Sequence, residues 1–312
     1  MTPSPKPAPL TLSSLRPLIT QSFSRWNDIN AARLGAALAF YAVLSIAPLL
    51  VLCVGIAGLA FKHEAVTGQI VYQFQNLIGY QGGKMIQALV LQAAQPTRGI
   101  FAGAAGILML LFGASGFFLE LRDSLNTVWS VKARNSGALW AIVRGRFFSF
   151  ALVLGIGFLL LISLVLSAAI SAAGKFVQQF LPAPEPVLHL SADVVTFLAI
   201  GVLFALVYKV VPDANIEWRD VGIGAAVTSL LFSAGKLVIG LYLGKASVGS
   251  AYGAAGSLVA FLVWVYYSAQ VFLLGAAFTH VFAERHGSRA RERARRAARR
   301  TVPAASQHFQ PQ

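Results

Sequence analysis

Residues 246–283 read "ASVGSAYGAAGSLVAFLVWVYYSAQVFLLGAAFTHVFA" and contain no Asp, Glu, Lys or Arg. An α-helix needs about 20 consecutive apolar residues to cross the hydrocarbon core of a bilayer. Charge is equally absent from residues 35–61, 99–119 and 147–174. Only 12% of the chain is charged and 57% is hydrophobic, whereas soluble domains carry about 25% charged residues. These patterns predict an all-α integral membrane protein.

Two further apolar stretches are interrupted by charge. Residues 190–211 contain Asp193 and Lys209, and residues 221–244 contain Lys236. Together with the uncharged runs, these stretches predict six membrane-spanning helices, at 35–61, 99–121, 147–174, 190–211, 221–244 and 254–282. No cleaved signal peptide is expected, because the first apolar run is too long for the core of one. The single cysteine, Cys53, lies inside the first span, which excludes a disulfide framework.

The Lys and Arg residues are unevenly distributed between the two sides of these spans. Most of the 25 lie in the N-terminal segment 1–34, the loops 122–146 and 209–219, and the tail 284–312. The opposite loops hold only Lys62, Lys84, Arg98, Lys175 and Lys245. Loops rich in Lys and Arg stay in the cytoplasm. The pattern therefore predicts a membrane domain at 35–283 with both termini cytoplasmic.

Both cytoplasmic ends are expected to contact the membrane surface. In residues 15–33, apolar side chains recur at near-helical spacing beside arginines, which predicts an amphipathic helix lying on the inner face of the bilayer. The tail carries "ERHGSRARERARRAARR" (284–300) directly after the last span. Such clusters bind anionic lipid headgroups. The net charge of +14 does not predict nucleic-acid binding, because no recognition fold accompanies the tail.

Lys236 is the charged residue that most needs an explanation. A central lysine costs roughly 2.5–3.5 kcal/mol on membrane-insertion scales. On the same helix, Ser229 and Ser233 belong with Lys236 to a stripe of small and polar residues suited to helix packing. We interpret Lys236 as a cation lining a polar cavity, where it meets an anionic solute or a carboxylate. The alternative is that its side chain extends to the headgroups.

Four other residues are candidates for the same polar path. Glu120 ends the second span on the inner side, and Asp193 lies in the outer half of the fourth. Either could pair with Lys236, although headgroup contacts and local ion pairs also explain Glu120. Tyr242 and Tyr252 flank the Gly/Ser-rich segment before the last span. That segment is either a gating turn or a flexible outer hairpin.

Enzyme motifs are weak in this sequence. "GASG" (113–116) resembles the serine motif of rhomboid intramembrane proteases, and Ser115 and His280 could in principle support acyl chemistry. Rhomboids, however, place this serine on a later helix, and the glycines also fit a seven-residue packing repeat. The histidines show no metal-binding spacing, and there is no Walker A loop. We expect no enzymatic activity, no metal and no cofactor.

Five segments together resemble the YihY/BrkB family of bacterial inner-membrane proteins, over about residues 25–285. They are "AALAFYAVLSIAPLL" (36–50), "LFGASGFFLELRDSLNTVW" (111–129), "RFFSFALVL" (146–154), "VPDANIEWRDVGIGAAVTSLLFSAGKLVIGLYL" (211–243) and "SAYGAAGSLVAFLVWVYYSAQVFLLGAAF" (250–278). The resemblance implies six spans with both ends cytoplasmic. Family members have carried the label "ribonuclease BN", which the scattered histidines of this chain do not support.

The resemblance also bears on single residues. The basic residue Lys236, the following Gly240–Leu243 and the pair Tyr252 and Gly253 match the family pattern. The chain departs from it on the last span, where the family has Gly-Ala-Glu and this sequence has Gly275, Ala276 and Ala277. A mechanism that depends on that carboxylate is therefore in doubt here.

We hypothesise a multi-pass permease of the bacterial inner membrane, exporter-like, for an undefined and anionic small solute. The alternative is a non-transporting envelope protein that scaffolds a complex or organises lipid. An intramembrane serine protease is a third, weaker alternative. Whether the chain forms a homo-oligomer is left open.

Overall fold

The computed structural model describes residues 12–58, 67–68, 70–72, 75, 83–88, 91, 100–131, 185–245 and 256–300. Within these residues all regular secondary structure is helical and no β-strand occurs. The longer helices are α1 (Leu12–Asp28), α2 (Ala31–Gly58), α3 (Ile100–Trp129), α4 (Glu185–Val210), α5 (Trp218–Lys245), α6 (Gly256–Arg285) and α7 (Ser288–Arg300). The all-α fold class is confirmed for this part of the chain.

The predicted spans coincide with helices wherever the structure describes them. α2, α3, α4, α5 and α6 overlap the spans predicted at 35–61, 99–121, 190–211, 221–244 and 254–282. The span at 147–174 lies outside the described residues. α3 continues beyond 121 to Trp129, since no glycine or proline interrupts residues 117–128.

Among the described residues, one helical stretch is long and apolar enough to cross a membrane. It is Leu258–Ala294, which contains most of α6 and runs on into α7. Two shorter apolar helices, Ala31–Ser45 and Phe197–Val210, lie in α2 and α4. The number of six spans stays a prediction, because many of the other apolar side chains lie outside the described set.

The amphipathic segment predicted at 15–33 is divided by a turn. α1 ends at Asp28, and α2 begins at Ala31. Between them Asn30 adopts a left-handed backbone conformation with φ of 53°, which asparagine tolerates better than most residues. On α1 the side chains of Leu15, Ile19 and Phe23 form an exposed apolar face, while Leu18 and Ser22 are buried. A lipid-contacting role for the exposed face stays a prediction.

α5 and α6 pack antiparallel through reciprocal pairs of glycine and threonine. A Cβ on Gly224 would lie 2.7 Å from the Cβ of Thr279, and a Cβ on Gly275 would lie 2.8 Å from that of Thr228. Both threonine hydroxyls donate to carbonyl oxygens four residues earlier on their own helices, at 2.7 Å. Each hydroxyl is therefore satisfied within its own helix, and the Thr228 hydroxyl also shares a hydrogen bond of 3.1 Å with the Tyr208 hydroxyl of α4. Small residues thus set how closely the helices approach.

The predicted glycine repeat of the second span also makes a helix contact. A Cβ on Gly113 would lie 3.3 Å from the backbone of Leu44 on α2, and Gly116 faces the ring of Tyr41. The rest of the repeat, Gly99 and Gly106, has no described side-chain surroundings. α3 therefore packs on α2 through the glycines on either side of Ser115.

The main buried core lies near one end of the helices. Its larger members are Leu34, Leu38, Leu125, Trp129, Tyr208, Ile216, Phe272 and Leu273. α3 and α6 end here, and α5 begins here. α1, the 211–217 loop and α7 also lie at this end. We call it the polar end. Four segments thus meet at this end: α1, the end of α3, the 211–217 loop and α7. The charge pattern predicts that all four lie on one side of the membrane.

Candidate functional site

Lys236 is half-buried on α5. Leu230 and Val238, on other faces of the helix, are more open, with 63% and 66% of their surface exposed. The residue before the lysine, Gly235, contacts the ring of Tyr267 on α6, because a Cβ there would lie 2.6 Å from the Tyr267 Cζ. Within the described residues Lys236 makes no hydrogen bond or ion pair.

The small and polar stripe that leads to Lys236 is closed toward the polar end. Ser229 is fully buried and donates to the Ala225 carbonyl at 2.9 Å. Its hydroxyl oxygen would lie 3.3 Å from a Cβ on Gly201 of α4, so α4 covers this part of the stripe. Ser233, one turn further, is half-buried. The stripe therefore becomes more open as it approaches Lys236.

The other predicted path residues are not brought to Lys236 in the described structure. Glu120 is half-buried on α3, and no ion pair joins it to Lys236 among the described residues. Asp193 lies on α4 and Tyr242 on α5, but their side chains lie outside the described set, as does Tyr252 entirely. Ala277, where the resemblance implies a carboxylate, is fully buried. The partner of Lys236 stays a prediction.

Among the described residues, the polar end holds most of the side-chain hydrogen bonds between distant segments, and three groups of them join its segments. The first links α3 to the 211–217 loop. Arg122 donates to both carboxylate oxygens of Asp213, at 2.7 and 3.1 Å. Asn126, one turn along α3, donates to the same carboxylate at 2.9 Å and accepts from the Asp213 backbone N–H at 2.8 Å. The loop is thus fixed by four hydrogen bonds to one face of α3.

Asp213→Ala should therefore destabilise the protein more than Arg122→Ala. The aspartate loses its bonds to both α3 side chains, whereas Arg122→Ala leaves the Asn126 contacts in place. We expect a loss of about 1–2 kcal/mol for Asp213→Ala and roughly 0.5–1 kcal/mol for Arg122→Ala. Thermal unfolding of purified protein measures both. Asp123→Ala, which removes an exposed acid from the same stretch of α3, is the control; equal losses in all three would contradict this assignment.

The second contact attaches α1 to the carboxyl end of α3. The Arg25 guanidinium donates to the carbonyl of Thr127 at 3.1 Å and to that of Val128 at 2.8 and 3.2 Å, and it also donates to the Ser130 hydroxyl. The last carbonyls of a helix have no partner within the helix and carry partial negative charge. An arginine satisfies both needs at once.

The third contact attaches the tail to the start of α5. Asp220 is fully buried, and its carboxylate accepts from the backbone N–H of Ser288 at 2.9 Å and from the Ser288 hydroxyl at 2.6 Å. It therefore caps the first turn of α7. A Cβ on the preceding Gly287 would lie 2.5 Å from this carboxylate and 2.7 Å from the Ala283 Cα. Glycine at 287 lets α7 fold back onto α6.

A cluster of aromatic and charged side chains lies beside these contacts. Trp129 and His280 meet edge to face with ring centres 5.1 Å apart, and the Arg289 guanidinium lies 4.8 Å from the Trp129 ring centre. Glu284 accepts from Arg293 at 2.9 Å. Some tail arginines predicted to bind lipid headgroups therefore contact the protein itself.

A cavity of about 400 Å³ opens between α1 and the ends of α6 and α7. Its charged and titratable lining consists of Arg25, Asp28, His280, Glu284, Arg285 and Arg293. The buried His280 Nδ1 and Trp129 Nε1 have no hydrogen-bond partner within the described residues.

The sequence interpretation did not identify these polar-end contacts. One signal for them is present in the sequence. The chain has only 11 acidic residues, yet Asp213, Glu217 and Asp220 fall within one short loop and helix start, which the charge pattern predicts to lie on the same side of the membrane as the Arg-rich tail. Such a concentration in a chain poor in acids favours ion pairs between the loop and the tail, and Arg291 does pair with Glu217 at 2.6 Å.

Comparison with known proteins places this architecture in a family. The family model "Virulence factor BrkB" matches residues 22–300, which is most of the chain. The chain belongs to the BrkB family. The resemblance read from its five sequence segments is thereby confirmed.

Curated relatives of this BrkB-family chain are described as UPF0761 membrane proteins. One from Ralstonia nicotianae is 28% identical over 264 residues, 84% of this chain and 58% of that protein. One from Chromobacterium violaceum is 27% identical over 86% of this chain and 62% of its own length. One from Pseudoalteromonas atlantica is 28% identical over 78% of each chain. The chain thus spans about three fifths of the first two. No solved structure matches it.

Proposed function

We propose that this BrkB-family membrane protein is a multi-pass permease of the bacterial inner membrane that exports a small anionic solute. Six spans and two cytoplasmic termini belong to the proposal. The distribution of Lys and Arg supports this topology, because the segments rich in these residues are the ones that meet at the polar end. The proposal includes no enzymatic activity.

The observation that carries the proposal is the environment of Lys236. The residue is half-buried in an apolar helix and has no ion-pair partner within the described residues. An ammonium at membrane depth requires water, an anion or a carboxylate beside it, and the proposal places an anionic solute there. α3, α5 and α6 are the helices proposed to line this polar path, with Ser229 closing it toward the polar end through its contact with Gly201 of α4.

Lys236→Leu and Lys236→Arg are expected to abolish most transport while the protein still reaches the membrane. Leucine removes the charge, and the broad guanidinium of arginine does not reproduce a compact ammonium. Cells that lack the gene are complemented with each variant, and mass spectrometry measures the anionic solutes that accumulate inside them. Arg219→Gln is the matched control, since it removes one positive charge from an exposed position on the same helix.

The control variant should restore the wild-type solute level. Equal export by wild type, Lys236→Leu and Lys236→Arg would exclude Lys236 from the mechanism and remove the main support for a permease.

A non-transporting scaffold is the second candidate, because α1 presents an exposed apolar face and α7 is rich in arginine. Truncation after Arg285 does not test it cleanly, since that cut also removes the Ser288 partner of Asp220. Replacing Arg295, Arg296, Arg299 and Arg300 with glutamine keeps the residues of α7 whose contacts are described, Ser288, Arg289, Arg291 and Arg293. Loss of the cellular phenotype in this variant, together with full activity of Lys236→Leu, would favour the scaffold.

A further inference from the structure

The open cavity at the polar end has the volume of a small-ligand site and a charged lining. Its volume of about 400 Å³ falls within the roughly 300–1,000 Å³ range of small-molecule pockets. α1 supplies one wall, and the ends of α6 and α7 supply the other. The cavity lies apart from the path proposed around Lys236, and nothing in the transport proposal uses it.

The lining has an excess of positive charge. Arg25, Arg285 and Arg293 contribute guanidinium groups, against the carboxylates of Asp28 and Glu284. Glu284 is already paired with Arg293 at 2.9 Å and with Arg289 at 3.8 Å. Glu284 is therefore neutralised by arginines, one of which, Arg293, also lines the cavity.

Two guanidinium groups of the cavity have capacity left for a ligand. Arg285 makes no hydrogen bond or ion pair within the described residues. Arg25 uses its Nε and Nη2 on the end of α3, and its Nη1 makes no hydrogen bond within the described residues. His280 also lines the cavity, but its Nδ1 is sealed from it, with almost no accessible surface.

The position of the cavity on α1 indicates how a ligand reaches it. Gln21, Ser24 and Asp28 line it. At 100° per residue these positions lie on the side of α1 opposite to Leu15, Ile19 and Phe23, the exposed apolar face. If that face lies on the bilayer, the cavity opens toward the aqueous phase.

We propose that this cavity binds a phosphate group, either as free phosphate or a small phosphomonoester or as a lipid headgroup. The lining carries an excess of one guanidinium group over its carboxylates, which favours an anionic ligand and offsets part of the charge of about −1.5 to −2 that a phosphomonoester carries at neutral pH. Planar guanidinium groups bind phosphate oxygens through paired hydrogen bonds. Arg285 and the remaining nitrogen of Arg25, Nη1, hold the phosphate oxygens, while Arg25 keeps its Nε and Nη2 hydrogen bonds to the end of α3.

Binding is tested with the purified full chain in neutral detergent. Inorganic phosphate and glycerol 3-phosphate are titrated calorimetrically at constant ionic strength, and phosphatidylglycerol adducts are counted by native mass spectrometry. Arg285→Gln should weaken phosphate binding about tenfold, as expected for the loss of a charge-assisted contact, and Arg285→Lys should recover part of it. Arg291→Gln is the matched control, because it removes the same charge from α7 at a residue that pairs with Glu217 outside the cavity.

The arms of the experiment separate the two sources of phosphate. Arg285-dependent binding of phosphate or glycerol 3-phosphate supports a soluble ligand, and Arg285-dependent binding of phosphatidylglycerol alone supports a headgroup site. No binding of any probe, or equal weakening by Arg285→Gln and Arg291→Gln, would overturn the proposal. Lys236→Leu should leave phosphate binding unchanged, so this site and the transport proposal can fail independently.

Discussion

Gly224→Ala is expected to destabilise the protein by about 1–3 kcal/mol, whereas Gly222→Ala, two residues earlier on α5, is expected to be neutral or slightly stabilising. The difference arises because a Cβ on Gly224 would meet the Cβ of Thr279 at 2.7 Å, while a Cβ on Gly222 would meet nothing within 4 Å. Thr279 cannot move aside easily, since its Cβ is attached to the backbone of α6. α5 and α6 would have to separate.

The melting temperature of the purified protein measures this effect, and Gly222→Ala is a closely matched control for Gly224→Ala. Both variants replace glycine by alanine in the same helix, so any general gain in helix propensity, up to roughly 1 kcal/mol, applies to each. Gly275→Ala should behave like Gly224→Ala, because it meets Thr228 in the reciprocal pair. Equal melting temperatures for Gly222→Ala and Gly224→Ala would show that α5 and α6 are not packed through these glycines.

Asp220→Ala is expected to release α7 from the polar end. The substitution leaves the backbone N–H and the hydroxyl of Ser288 without their buried acceptor, a loss of about 2–3 kcal/mol for a pair of charge-assisted hydrogen bonds. α7 retains the surface pairs of Arg291 and Arg293, which contribute little on their own. The tail helix should then detach and fray.

Limited trypsin digestion provides the measurement, since α7 is rich in arginine. Cleavage after Arg289, Arg291 and Arg293 should become several times faster in Asp220→Ala than in the wild type. Asp220→Asn keeps one acceptor oxygen and should give an intermediate rate. Asp123→Ala, which removes an exposed acid elsewhere at the polar end, should cleave like the wild type. Wild-type cleavage rates in Asp220→Ala would mean that α7 is held by other contacts.

The positions of the helices were predictable because membrane insertion imposes a local rule. The apolar runs at 35–61, 99–121, 190–211, 221–244 and 254–282 each correspond to a helix. A backbone surrounded by hydrocarbon must satisfy its own hydrogen bonds, and this requirement acts on each segment separately. The turn at Asn30 was missed, because the apolar periodicity on either side of it is nearly continuous.

The candidate path was predictable only in part. The stripe containing Ser229, Ser233 and Lys236 could be read from helical spacing, since the spacing of residues along one helix determines which of them share a face. What each residue contacts could not be read in this way. The contact of Gly201 with Ser229 and the contact of Tyr267 with Gly235 depend on how α4 and α6 are rotated against α5.

The sequence by itself indicated the class of protein, the family and the helices that the structure describes at five of the six predicted spans, and it predicts which segments share one side of the membrane. The length of an apolar run and the placement of Lys and Arg are properties of short stretches. What they predict does not depend on which other segments those stretches contact. Only the tertiary structure brought Arg25 to the end of α3, Asp213 to Arg122 and Asp220 to Ser288. These contacts join residues up to about a hundred positions apart, and their partners are chosen by helix packing, which no local pattern encodes.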